Sequence, residues 1–388
     1  MVNDKNKSST GKPRLLRQVN LQAVIREMRR CEVFSKIDLA RYLEISTTTM
    51  TKLFAQLETS WIIQKSPEED TSFGRPKVFY QLSPALQVGA IVIDVETTTI
   101  SFSDLQGTLD ESNQTTFSTG KDKETLFEKT TTEFNALRKR INASCKLVGV
   151  CIPGLIEQDS GISKLNPNLP WLEGINPADE LGARLKLPAV IMHEERALGR
   201  AQMRVTDDVS DYITMDFSSG VGMSVVSGKN YLVGTSGFAG EIGHVVMDPG
   251  GDLCGCGNRG CLETIASDRV FQRDAALEMD EALKKLKEND PVIRQIADRV
   301  AVAQARGVAA VVNIFNPEKI FVFSRLSEAY PDYVKTLREA VSQLALSLPM
   351  ETCTIETTHE GKLKGAVLLT IDILIEQLTK KEGAALEK

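Results

Sequence analysis

Near residue 85 the sequence changes its hydrophobic period, from helical spacing to strand spacing. Before that point apolar residues recur at helical spacing. Leu21, Val24, Ile25 and Met28 form one stripe, with Arg26, Arg29 and Arg30 on its other side, and Met50, Leu53, Phe54 and Leu57 form another. After it, "VGAIVIDVETTTISFSDLQGTL" reads as an apolar strand, a turn and a second, alternating strand. A chain of 388 residues also exceeds what one core usually organises. The expected division is a small domain over residues 1–85 and a large one over 86–388.

Charge follows that division. Residues 1–82 carry 14 Lys and Arg against 9 Asp and Glu, while the whole chain is acidic, with a net charge of −6. A basic module on an acidic body points to a local contact with a polyanion. No apolar run is long enough for a membrane helix, and the start "MVNDKNKSSTGKPR" lacks the apolar stretch of a secretory signal, so a cytoplasmic location is expected.

Within the small domain, "FSKIDLARYLEISTTTMTKLFAQLETSWII" places Ser35 as a helix cap with Asp38 three residues on. A short helix bearing Ile37, Leu39, Ala40 and Leu43 follows, then a break at Glu44–Ser46 and a second helix from about Thr47 to Glu58. Two short helices about a tight turn suggest a helix-turn-helix whose second member reads double-stranded operator DNA. Thr47, Thr48, Thr49, Thr51 and Lys52 suit phosphate and base-edge contacts in a major groove. Strands at Trp61–Lys65 and Val78–Leu82, around a polar loop with Gly74, Arg75 and Pro76, outline a wing, and Arg75 suits a narrow minor groove or a phosphate. The competing reading is a helical protein-interaction domain whose basic residues are a solvated face. "GKPRLLRQVN" reads as an arm on DNA or as a linker.

The large domain alternates strands at Lys146–Ile152, Ala189–His193, Asp211–Phe217, Gly222–Val226 and Lys319–Ser324 with helices at Lys123–Arg140, Val270–Lys287 and Pro291–Asn313. Such alternation implies an α/β architecture with mixed sheets. Between them, residues 244–261 hold His244, Cys254, Cys256 and Cys261, three of the chain's seven cysteines, on a loop with glycines at 250, 251, 255, 257 and 260. One imidazole and three thiolates are the soft tetrahedral set that zinc prefers. A disulfide between Cys254 and Cys256 would be strained, and a reducing compartment disfavours it. All four positions come from protein, so the expectation is one closed, structural zinc per chain.

Three stretches carry a resemblance: "GVCIPGLIEQDSG" at 149–161, "NPNLPWL" at 166–172 and "AGEIGHVVMDPGGDLCGCGNRGCLETIAS" at 239–267. They resemble the ROK family of repressors, open reading frames and sugar kinases, and the preceding helix-turn-helix is similar to the family's xylose-, N-acetylglucosamine- and glucose-responsive repressors. The resemblance implies an N-terminal winged helix-turn-helix on a two-lobed, actin-like (ribonuclease H-like) sugar-kinase domain. It also implies a sugar or sugar phosphate held by Asn168, Glu194, Glu241, His244 and Glu263, with His244 serving metal and ligand through its two ring nitrogens. It further implies a homodimer or homotetramer and, in some members, a protein partner such as a sugar-transporter component. His193 is expected to be positional, and His359 receives no role.

The chain departs from the family's kinases where they hold nucleotide. Their Asp-x-Gly-Gly-Thr hairpin is here Asp94-Val95-Glu96-Thr97-Thr98, their second phosphate turn is Ser218-Ser219-Gly220-Val221-Gly222, and a late Gly-Gly pair is Ser324-Arg325. Glu96 would repel a triphosphate and the added side chains would crowd it. Glu194 occupies the place of the kinases' aspartate base, and its extra methylene misplaces the carboxylate. The expectation is a sugar-responsive repressor of carbohydrate genes with a degenerate kinase domain, no nucleotide and no enzymatic activity. The alternative is an ATP-dependent sugar kinase with an N-terminal regulatory module, and the turn at 94–98 distinguishes the two.

Overall fold

The structure, a computed structural model, describes residues 11–67, 77–203 and 209–383. The small domain consists of α1 (Gly11–Met28), β1 (Phe34–Ser35), α2 (Lys36–Tyr42), α3 (Thr47–Thr59), β2 (Ile63–Lys65) and β3 (Phe79–Leu82), with the strands antiparallel in the order β1-β3-β2. Local chemistry sets these bounds. Ser35 accepts the Asp38 N–H at 3.1 Å and donates to the Asp38 carboxylate at 2.6 Å, Ser46 accepts the Thr49 N–H at 3.2 Å, and Glu44 turns the chain with a φ of 53°. α3 buries Met50, Leu53, Phe54 and Leu57, as the spacing predicts. Phe54 packs edge-on against Phe34 and Tyr80 at ring separations of 6.2 and 5.0 Å, joining the helix to the sheet.

Three expectations for this domain change. "GKPRLLRQVN" is helical, since it opens α1. Ile37 is exposed, and Leu39 and Ala40 alone anchor α2 inside. Arg29 is buried rather than on a basic outer face, because that side of α1 packs against the large domain and meets Asp372 at 2.9 Å.

The large domain has two lobes of matching topology. The first contains β4 (Gln87–Ile93), β5 (Thr97–Asp104), β6 (Gln114–Ser118), α4 (Lys123–Arg140), β7 (Cys145–Ile152), the small hairpin β8 (Leu155–Ile156) and β9 (Ser163–Leu165), α5 (Pro177–Leu185) and β10 (Ala189–His193). Helix α6 (Glu194–Gln202) leads to the second lobe: β11 (Tyr212–Asp216), β12 (Gly222–Ser227), β13 (Asn230–Tyr231), α7 (Glu263–Ala266), α8 (Asp268–Ala275), α9 (Met279–Lys287), α10 (Pro291–Phe315), β14 (Lys319–Phe323), α11 (Leu326–Ala329), α12 (Tyr333–Leu344), α13 (Ser347–Thr352) and β15 (Thr354–Thr357). Helix α14 (Lys362–Gly383) returns to the first lobe and lies on β4 and β7.

The sheets run β6-β5-β4-β7-β10 and β13-β12-β11-β14-β15, each with three antiparallel strands followed by two parallel ones. Crossover helices cover their faces, so the central strands β4, β7 and β11 are buried on both sides and read as continuous apolar runs. The helix expected over Val270–Lys287 is two, since Ala276 adopts a φ of 52° and breaks it. Among the described residues no helix is long and apolar enough to cross a membrane.

Candidate effector cleft and metal loop

Both lobes present the carboxyl end of their first strand to the groove between them, where ligands of open α/β sheets collect. Asp94 follows β4 and Asp216 ends β11. The Asp94 carboxylate accepts the Val95 N–H at 2.7 Å and, from the other lobe, the Ser219 hydroxyl at 3.0 Å, so the two altered turns touch. At their meeting point lies a residue that sequence reasoning missed. The Lys362 ammonium, at the start of α14, is 2.7 Å from Glu194, 3.1 Å from Asp94 and 3.1 Å from Asp216. Lys362 is 8% exposed. Burial opposes its charge, but Asp216, Glu194 and Asp94 hold its proton far more firmly than in water. Burial pushes the Glu194 carboxyl upward and the Lys362 ammonium pulls it down, while Lys362 keeps Asp94 below the usual carboxylate range despite desolvation. The third altered turn is likewise filled: Ser324 is buried and donates to Asp268 at 2.6 Å, and Arg325 reaches Asp280 at 2.7 Å.

Beside this centre stands a second polar group. His193 precedes α6 with Nδ1 against the Glu195 carboxylate, and its Nε2 lies 3.9 Å from Glu241; on the other side Glu241 is 3.8 Å from Nε2 of His244. Burial and Glu195 push Glu241 up to about 7, and although burial opposes it, Glu195 raises His193 to about 9. Glu263 accepts the Val221 N–H at 3.3 Å, which ties the metal loop to the turn after β11. Asn168 faces it from the first lobe and accepts from Arg269 of α8 at 2.9 Å. Thus Glu241, His244 and Glu263 come together, Asn168 stands across the groove, and Glu194 turns to Lys362. His193, expected to be only positional, pairs with Glu195 at the start of α6 and also lines this group.

The metal loop begins at His244, which ends a short helical turn. Gly257 and Gly260 take φ values of 92° and 68°, and a Cβ on Gly260 would lie 1.4 Å from the Asp248 carbonyl oxygen, so only glycine permits this winding. The donor atoms of His244, Cys254, Cys256 and Cys261 all lie within 4.8 Å of one another. Cys254 Sγ is 3.5 Å from His244 Nδ1, and Cys256 Sγ is 3.7 Å from Cys261 Sγ. Zinc bonds of about 2.3 Å to sulfur and about 2.0 Å to nitrogen place tetrahedral S···N and S···S edges at about 3.5 and 3.8 Å. The residues therefore fit such an ion, whereas 3.7 Å is far from a disulfide. Burial pushes the Cys254 thiol up to about 12, so its ionisation needs a cation.

The small domain keeps Thr47, Thr48, Thr51 and Lys52 on the exposed side of α3, with Thr49 half-buried against Ser46. Arg75 lies outside the described residues.

The model of the ROK family matches residues 88–372. The chain belongs to the ROK family. It is 27% identical to the xylose repressor of Caldicellulosiruptor bescii over 95% of this chain and 98% of that protein. A ROK family transcriptional regulator described as a homologue of the Escherichia coli Mlc protein superposes with a TM-score of 0.76 at 21% identity, covering 94% of this chain and 99% of that one. A ROK family glucokinase from Streptomyces griseus, solved with glucose and AMPPNP, superposes with a TM-score of 0.68 at 19% identity, over 74% of this chain and 99% of that one. The actin-like ROK fold is thereby established for the large domain. The glucokinase thus covers about three quarters of this chain and the regulator nearly all of it.

Proposed function

We infer that this ROK protein is a sugar-responsive, DNA-binding repressor of carbohydrate genes whose kinase-like lobes sense ligand without phosphorylating it. The observation that carries this reading is Lys362. Its ammonium is held by Asp94, Glu194 and Asp216 at the junction of the altered phosphate turns. It makes Glu194 an ion-pair partner in place of a free base, and it supplies in cis a positive charge among the acids of the cleft.

The DNA-binding half of the reading is supported by a winged helix-turn-helix arrangement: α2, the turn at Glu44, α3 with its exposed threonines and Lys52, and the hairpin β2–β3. One such module buries too little surface for tight specific binding, so a homodimer or a homotetramer would set two modules on half-sites of a palindrome. A sugar or sugar phosphate would bind among Asn168, His193, Glu241, His244 and Glu263, and shift the lobes only if it prefers one closure angle. One zinc, bound by His244, Cys254, Cys256 and Cys261, would brace that pocket through the shared His244. Recognition by a sugar-transporter component fits the same regulatory role.

The test has two arms. Thermal shift with D-xylose, D-glucose, N-acetylglucosamine and their phosphates should reveal a sugar that raises the melting temperature. Selection from a random duplex pool should enrich a palindrome that this sugar releases. Turnover of ATP with any of these sugars would overturn the reading in favour of the kinase.

A further inference from the structure

Helices α6 and α14 cross between the lobes in opposite directions. α6 leaves the first lobe and packs on β11 and β12 of the second, whereas α14 leaves the second and packs on β4 and β7 of the first. They meet backbone to backbone, since a Cβ on Gly365 of α14 would lie 1.5 Å from the Ala197 carbonyl oxygen of α6. Each also seats tightly on its sheet: a Cβ at Gly199 would meet Ser224 at 2.2 Å, and one at Gly149 would meet Thr370 at 1.9 Å. Interiors packed this closely transmit a displacement rather than absorb it.

Ion pairs fasten the two helices at both ends. Glu194 of α6 holds Lys362 of α14 at 2.7 Å, and Arg200 of α6 holds Asp372 of α14 at 2.6 Å. Ten residues of helix separate Lys362 from Asp372, about 15 Å at the usual rise. The first end faces the cleft. The second faces the small domain, where Arg29 of α1 reaches the same Asp372 at 2.9 Å and donates from Nε to the Leu105 carbonyl at 3.1 Å. Gln56 of α3 donates to the Thr379 carbonyl further along α14 at 3.3 Å, so the threonine-bearing helix is tied to the same element.

We propose that α6 and α14 form one strut that couples closure of the interlobe cleft, at Lys362, to docking of the small domain, at Asp372. Asp372 is then a positioning residue for DNA binding. The Lys362 ammonium touches carboxylates of both lobes, so rotation of one lobe on the other breaks part of its set. With no freedom to slide at Gly365, the displacement of α14 reaches Asp372. The buried Arg29 guanidinium and Arg200 share the one Asp372 carboxylate, so a shift of α14 changes the joint that seats α1. A cavity of about 410 Å³ borders the joint, lined in part by Ile25, Arg29, Arg200, Asp372 and Ile375, and leaves α1 room to turn.

The inference names the regulation of the proposed effector cleft and rests on that reading for its use, but its test needs neither sugar nor DNA. Hydrogen–deuterium exchange is measured on the full zinc-loaded chain carrying K362M, which removes the ammonium and keeps the length. The expected result is exchange at least about fivefold faster in α1 and α3, the low end of ordinary coupling between sites, with α10 and α12 unchanged. Reciprocally, D372N should speed exchange in the turns at 94–98 and 216–222. Effects confined to the neighbourhood of each substitution, or a uniform rise that includes α10 and α12, overturn the coupling. If K362M does not fold, D372N decides by the same criterion. Failure here leaves the repressor reading standing, whereas absence of any sugar or duplex ligand defeats that reading and leaves the strut intact.

Discussion

At the scale of single residues, the chemistry rests on charges whose environments differ sharply. Lys362 is surrounded by three carboxylates, and Asp372 by two guanidinium groups. Desolvation works against ionisation of Asp372, but Arg200 and Arg29 outweigh it and hold the carboxyl below its usual range. A folded-state pKa below the unfolded value of about 3.9 contributes stability above that pH, and this is lost as pH falls through the folded value. Wild type should therefore melt above D372N at neutral pH, and the gap should close in thermal scans below about pH 4. For the metal loop, Cys254→Ser removes one of four donors. Elemental analysis should show zinc falling from one per chain toward zero, and exchange should rise across residues 241–263. Retention of stoichiometric zinc would count against the four-ligand site.

At the scale of elements, most boundaries follow from rules that operate within a few residues. Ser35, Ser46 and the φ of Glu44 mark out α2 and α3, and the apolar spacing picks the buried face of α3 correctly. Where the spacing misleads, a partner distant in sequence is the reason, as at Arg29, or a local break is, as at Ala276. On α3, Lys52→Ala should weaken DNA binding about equally across sequences and lower the dependence of log affinity on log salt by about one, as expected for a lost phosphate contact. A change confined to a single operator base would point to base readout instead. Between elements, Gly365→Ala inserts a methyl group into the contact of α6 and α14. Denaturant titration should show a loss of about 1–3 kcal/mol, typical of overpacking.

At the scale of the molecule, a small domain sits on a two-lobed body that repeats one five-strand topology. The repeat was not legible as sequence similarity between the lobes. It shows in the matched positions of Asp94 and Asp216 at the ends of the two first strands. Two helices that each begin in one lobe and pack on the other join the lobes, and the small domain docks on one of them. On the repressor reading, the intact chain should show no ATP-dependent rise in melting temperature with or without magnesium, because side chains stand at 96, 97 and 324 where the kinases that the chain resembles carry glycine. Removing residues 1–82 should abolish duplex binding while sugar-dependent thermal shifts persist.

The sequence by itself determined the change of hydrophobic period near residue 85, the helices and strands set by caps and periodicity, and the metal loop, whose four donors lie within eighteen residues. Short-range spacing is enough for these, since turns and glycines bring near neighbours together. Only the tertiary structure decided which acids share Lys362 and which arginines share Asp372. Asp94, Glu194, Asp216 and Lys362 span 268 positions of chain, and the partner of a long-range charge depends on how lobes and crossover helices pack. The same packing turned Glu194 away from the predicted sugar group and brought His193 beside it.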